Sequence, residues 1–165
     1  MGPPAAEHFM QRRRLGNTAL DLTTIGLGTW AIGGGDWKFG WGPQDPSKAI
    51  DGLLAGLELG INWIDTAPVY GDGASEQLVG KALQQAARSD VLIATKCSRK
   101  VLPDGSVHGV LDAESVKSEC EQSLKRLGVD VIDLYQMHWP EPDPQIEEGW
   151  EAMIDLKRKG KVRDI

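Results

Sequence analysis

Gly60 to Leu83 reads GINWIDTAPVYGDGASEQLVGKAL, and this stretch decides the fold. Ile61 to Asp65 is a short apolar run, rich in strand formers, that ends on a carboxylate. A turn-rich loop with Tyr70, Gly71 and Gly73 follows. Ser75 reads as the N-cap of a helix whose apolar face is Leu78, Val79, Ala82 and Leu83. Strand, loop and helix make one βα unit.

The same unit recurs along the chain. Asp45-Pro46 pairs a cap with proline at the first helical position. Ala49, Ile50, Leu53, Leu54 and Leu57 then repeat at helical spacing up to Gly60. Val91 to Lys96 is a second strand, and Asp112 caps a helix carrying Val116, Cys120, Leu124 and Leu127. Val131 to His138 is a third. Asp143-Pro144 repeats the cap-plus-proline pattern before Ile146, Trp150, Met153 and Ile154, and Val162 to Ile165 starts another strand. At the other end, Gly16-Asn17-Thr18 is a hairpin turn between Gln11–Leu15 and Ala19–Leu22. Thr23 to Thr29 continues as an apolar strand, followed by a Gly- and Trp-rich loop over Ala31 to Gly42.

Alternating strands and helices predict an α/β fold with a parallel sheet. No G-x-G-x-x-G opens the first helix and no P-loop is present, which counts against an open dinucleotide-binding sheet. Pleat spacing favours a barrel. Ile61, Trp63 and Asp65 share one strand face, as do Leu92, Ala94 and Lys96, and Ile132, Leu134, Gln136 and His138. Each series has apolar residues below and ends on a reactive group, the layout of a (β/α)8 barrel that is active at its C-terminal rim.

Composition sets outer limits. The 165 residues are 41% hydrophobic and 25% charged, ordinary for one globular domain. A net charge of −6 and a pI near 5.0 argue against nucleic acid or an anionic membrane as partner. Arg12, Arg13 and Arg14 read as a solvated strand beside a flexible tail, residues 1–8. No apolar run approaches the roughly 20 residues that span a bilayer, and no apolar signal core opens the chain, so a cytoplasmic location is expected. Cys97 and Cys120 have neither disulfide-framework nor metal-site spacing, and no metal site is expected. The six tryptophans are read first as packing residues and second as pocket walls.

The four strand-end groups suit one chemistry. A phenol donates a proton poorly at neutral pH unless a nearby cation stabilises the phenolate, and Lys96 is placed to do this for Tyr70. A lysine in an apolar pocket needs a carboxylate, and Asp65 fits. His138 offers a donor to polarise a carbonyl oxygen. None of these side chains is an electron source, so a nicotinamide hydride donor is expected.

These residues, together with LGTWAIGG at Leu27–Gly34, VLIATK, SLKRLGVDVIDLYQMHWP and the terminal GKVRDI, resemble the N-terminal half of an aldo-keto reductase. The similarity is greatest to the branch holding bacterial general-stress reductases and, more distantly, potassium-channel β subunits. The resemblance implies a first half of a (β/α)8 TIM barrel, about four βα units over residues 9–165, preceded by a β-hairpin. It implies NADPH-dependent reduction of small aldehyde or ketone carbonyls. Tyr70 would be the proton donor, tuned by Lys96; Asp65 would hold Lys96, and His138 would position the carbonyl. Gly28, Thr29, Trp30 and Asp65 would lie near the nicotinamide end of NADPH, while the residues that grip the rest of the cofactor belong to the family's second half. A complete barrel takes about 250 residues. The expectation is therefore a fragment or truncated half barrel with open strand edges and an exposed inner face that includes Ile132 and Leu134. The alternative is a non-catalytic binding or regulatory module that forms a homodimer through those faces.

Overall fold

The structure is a computed structural model, and it describes residues 10–35 and 40–165. The expected tail over residues 1–8 lies outside the described residues, as does Trp37.

The chain opens with β1 (Arg12–Arg14) and β2 (Asp21–Thr23), an antiparallel hairpin with Arg14 opposite Asp21. All three arginines are exposed. The strand expected over Thr23–Thr29 is interrupted: Thr24 and Ile25 are exposed, and only β3 (Leu27–Gly28) joins the main sheet. A 3₁₀ turn covers Trp30–Gly33. Then come α1 (Pro46–Glu58), β4 (Trp63–Asp65), α2 (Ala74–Gln85) and β5 (Leu92–Cys97). A second hairpin, β6 (Arg99–Val101) with β7 (Val107–Gly109), was not expected. The chain continues through α3 (Ala113–Leu127), β8 (Ile132–Met137), a 3₁₀ turn at Asp143–Gln145, α4 (Ile146–Arg158) and β9 (Val162–Asp164).

The main sheet has the order β3-β4-β5-β8-β9 and is parallel throughout. Each strand adds beside the one before it, with no reversal of order. A doubly wound sheet requires such a reversal, so the order is that of a barrel wall. The described strands form an open arc, with β3 and β9 at its edges. Helices α1 to α4 pack side by side on its outer face.

Several caps match the sequence. Asp45 accepts from the Ser47 and Lys48 amides with Pro46 at the first helical position, and Asp112 accepts from Ser115 N. Two do not. Ser75 lies inside α2, whose cap is Gly73 in the left-handed conformation. Asp143 belongs to the 3₁₀ turn, and Gln145 precedes α4 without a side-chain cap. The Gln145 amide oxygen is used elsewhere, accepting from Leu111 N at 2.8 Å.

The core lies between sheet and helices. Ile64, Ile93, Cys97, Tyr135 and Val162 meet Leu57, Val79, Val116, Leu124, Met153 and Leu156 there. Ile132 is fully buried in this cluster with Leu156 and Val162, so it is not part of an exposed inner face. On the concave side Trp63, Leu92 and Leu134 are half-buried. The first hairpin closes the lower end of that side. Thr23 N donates to Asn62 Oδ1 at 2.8 Å, the Trp63 indole donates to Thr23 O at 2.9 Å, and Leu20 is buried. Trp30, Trp41, Trp139 and Trp150 are exposed, so among the described residues packing accounts only for Trp63. Trp150 sits off the buried face of α4, which is formed by Gly149, Ala152, Met153 and Leu156.

Candidate active site

Three adjacent strands bring their reactive ends together. Asp65 is the last residue of β4, Lys96 the penultimate residue of β5, and His138 follows the last residue of β8. Tyr70 comes from the loop after β4. That loop is pressed against the 3₁₀ turn: a Cβ on Gly71, whose φ is +62°, would run into the carbonyl oxygen of Gly33. A side chain at Gly71 would therefore displace the phenol beside it.

Lys96 Nζ is the hub. It donates to Asp65 Oδ1 and Oδ2 at 2.9 Å each, to Thr66 O at 2.8 Å and to Tyr70 Oη at 3.5 Å. The His138 ring stands edge-on to Tyr70, with centroids 5.6 Å apart, and Trp30 stacks on Tyr70 with centroids 6.5 Å apart and an interplanar angle of 27°. All four groups expected to act together are thus within one constellation.

Electrostatics differ from the sequence expectation at Tyr70. Its pKa is pushed up to about 12, first by burial and second by the Asp65 carboxylate. The Lys96 ammonium beside the phenol is shared with two carboxylate oxygens and a carbonyl. The His138 pKa is pushed down to about 4 by burial, with the Lys96 and Arg99 charges adding to it. At neutral pH the pair is therefore a protonated phenol and an uncharged imidazole. His138 Nδ1 is buried and has no hydrogen-bond partner.

Support comes from buried polar groups whose bracing role the sequence did not show: Thr29 was expected beside the cofactor, Ser75 as a cap, and Glu76 was not singled out. Thr29 is fully buried, and both its N–H and its hydroxyl donate to Asp65 O at 3.0 Å. The Ser75 hydroxyl joins Thr29 Oγ1 at 2.8 Å and Thr66 Oγ1 at 3.1 Å. Glu76, also fully buried, accepts from Thr95 Oγ1 at 2.7 Å and Arg126 Nε at 2.6 Å. Helical spacing carried the signal: Ser75 and Glu76 lie four and three residues before Val79, on the inward face. Gly28 is open, with nothing within 4 Å of a Cβ placed on it. Cys97 and Cys120 are buried free thiols, and their pKa values are pushed up to about 12 chiefly by burial.

Comparison with known proteins decides the family. The Aldo/keto reductase family matches residues 24–165. The chain belongs to the aldo/keto reductase family. Among its relatives is aldo-keto reductase YhdN of Bacillus subtilis, 42% identical over 94% of this chain and 46% of the relative. Another is the NADH-specific methylglyoxal reductase of Escherichia coli, 41% identical over 94% of this chain and 51% of the relative. Solved structures of an aldo-keto reductase from Bacillus halodurans (holo form) and a glycerol dehydrogenase from Gluconobacter oxydans superpose with TM-scores of 0.80 and 0.82. They are 35% and 37% identical, over 93% and 92% of this chain and 48% and 46% of theirs. The chain spans about half the length of the curated relatives it matches. The arc is the corresponding part of a TIM barrel, as the sequence predicted.

Proposed function

We propose that this chain carries the proton-delivery side of an NADPH-dependent reductase of small aldehydes or ketones. The supporting observation is the hub at Lys96, which joins Asp65 to Tyr70 beside an uncharged His138. Tyr70 holds its proton at neutral pH and is the donor to the carbonyl oxygen as charge builds there. Lys96, 3.5 Å from Tyr70 Oη, then faces the phenolate that the transfer leaves. Asp65 fixes the ammonium, and the neutral His138 ring has one N–H with which to orient the carbonyl.

The residues present suit a nicotinamide. Trp30 offers an exposed aromatic face next to Tyr70, and Gly28 offers bare backbone beside it. Thr29 has both donors committed to Asp65 O, so it braces this edge while Gly28 and Trp30 are open to a ligand. A bound nicotinamide supplies the hydride that no side chain here can give. No helix among the described residues is long and apolar enough to cross a membrane.

Fluorescence titration of the chain with NADPH, and separately with NADH because one relative is named for it, tests this reading. Saturable quenching is expected, together with carbonyl turnover that Tyr70→Phe abolishes. No binding of either nucleotide sinks the reading for this chain.

A second reading has its own support. β3 and β9 are each paired on one side only among the described residues, and Leu92 and Leu134 are half-buried on the concave face. A homodimer or regulatory module would use those surfaces. Light scattering separates the readings, since a monomer that binds nucleotide excludes this one.

A further inference from the structure

Ser98 is a non-glycine residue with φ of +81°, and it is fully buried. L-residues rarely adopt that conformation, and it gathers at functional positions. Here the turn ends β5 at Cys97 and sends the hydroxyl across to the segment that follows β8. Ser98 Oγ donates to Trp139 O at 2.9 Å and accepts from Trp139 N at 3.3 Å. One hydroxyl therefore holds both polar groups of residue 139. The ladder between β5 and β8 makes its last backbone contact from His138 N to Cys97 O at 3.0 Å. His138 thus sits between two ties, one backbone and one through the Ser98 hydroxyl. Without the second, it would be the free end of a strand, followed by an exposed Trp139 and Pro140.

We propose that Ser98 is a positioning residue that holds His138 over Tyr70 by clipping the peptide of Trp139. The inference rests on the reading of His138 as the carbonyl-orienting group, and it deepens that reading. Ser98 touches no reacting atom. Its left-handed backbone aims the hydroxyl and its hydroxyl fixes the register of the residue after the imidazole. Arg99, the next residue, reinforces the clip from outside: its guanidinium lies 5.1 Å from the Trp139 ring centroid and bonds Glu141 at 3.1 Å.

The test reads the His138 ring itself and requires no cofactor or substrate. The charged groups facing it are Lys96 and Arg99, with the Tyr70 phenol at its edge. In the 165-residue chain, the His138 midpoint is followed by NMR, against His8 and His108 as the other imidazoles. Wild type is expected to titrate near pH 4. Ser98→Gly accepts the backbone conformation and removes only the clip. It is expected to let the ring reach water and to raise the midpoint by about one unit or more toward the ordinary value. An unchanged midpoint in folded Ser98→Gly overturns the proposal. A second measurement uses wild type alone, in case the variant does not fold. The Trp139 amide, although its residue is exposed, is expected to exchange with solvent at least tenfold more slowly than an unbonded amide. Exchange at the free rate overturns the proposal too. Absence of nucleotide binding in wild type would remove the reductase reading and leave both of these results standing.

Discussion

Lys96 Nζ lies equidistant, at 2.9 Å, from the two carboxylate oxygens of Asp65. The lysine side chain is 12% exposed and the aspartate 32%, so the pair is shielded on one side and wet on the other. Asp65→Asn leaves a largely buried cation without its counter-charge. A loss of about 1–3 kcal/mol is expected, below the cost of breaking a fully buried pair because Asp65 retains contact with water. Urea unfolding measures it. The same variant removes a charge that raises the Tyr70 pKa, so near-UV absorbance should show phenolate forming at lower pH than in wild type.

His138 gives stability a pH dependence of defined sign. Its folded pKa, about 4, is below the ordinary 6.5, so the unfolded chain binds the extra proton first. The contribution is complete above pH 6.5 and is lost as pH falls toward 4. Allowing for solvent screening of a half-buried ring, the loss is about 1–2 kcal/mol. Glu119 and Asp133, whose carboxyl pKa values are pushed up mainly by burial, act in the opposite direction. The check is therefore a difference: thermal unfolding of wild type should weaken more between pH 7 and pH 4.5 than that of His138→Gln.

Arg126 and Glu76 tie α3 to α2 beneath the site, and Glu76 is completely buried. Arg126→Met strands that carboxylate, for an expected cost of about 3–5 kcal/mol. Adding Glu76→Gln should recover a large part of it. Denaturant midpoints of the two single variants and the double variant measure the coupling.

Both thiols are buried, with pKa values near 12. Thiolate is the reactive form, so neither Cys97 nor Cys120 should react with an aromatic disulfide reagent at pH 8 while the chain is folded. Both should react once urea unfolds it. Fast labelling of either thiol in buffer would contradict this packing.

The main-sheet strands, the order of the helices and the strand-end positions of the reactive groups were legible because period-two and period-3.6 patterns recur in each βα unit between Ile61 and Ile154. Boundaries failed where a polar side chain had two uses. Ser75 looks like a cap in sequence, yet it spends its hydroxyl on Thr29 and Thr66; Asp143 precedes a proline, yet it starts a 3₁₀ turn rather than α4. Sequence places Lys96 beside Tyr70 and Asp65 beside Lys96, but only the folded geometry shows how far the phenol is buried, and burial is the first cause of its raised pKa. The hairpin β6–β7 left no period to read, since its strands are three residues long.

That hairpin leaves β5 after Ser98 and returns at Val110, whose N–H donates to Ser98 O at 3.1 Å. Its two ends are thus sealed to each other at the rim, independently of the length between them. The turn at its tip, residues 102–106, can be lengthened, shortened or exchanged at the cost of loop closure alone, which grows slowly with length. The strands that hold Asp65, Lys96 and His138 would not sense the change, provided Arg99 keeps its contacts with Trp139 and Glu141. The tip is a replaceable cassette, and a library built there would vary the hairpin while leaving the proton machinery untouched.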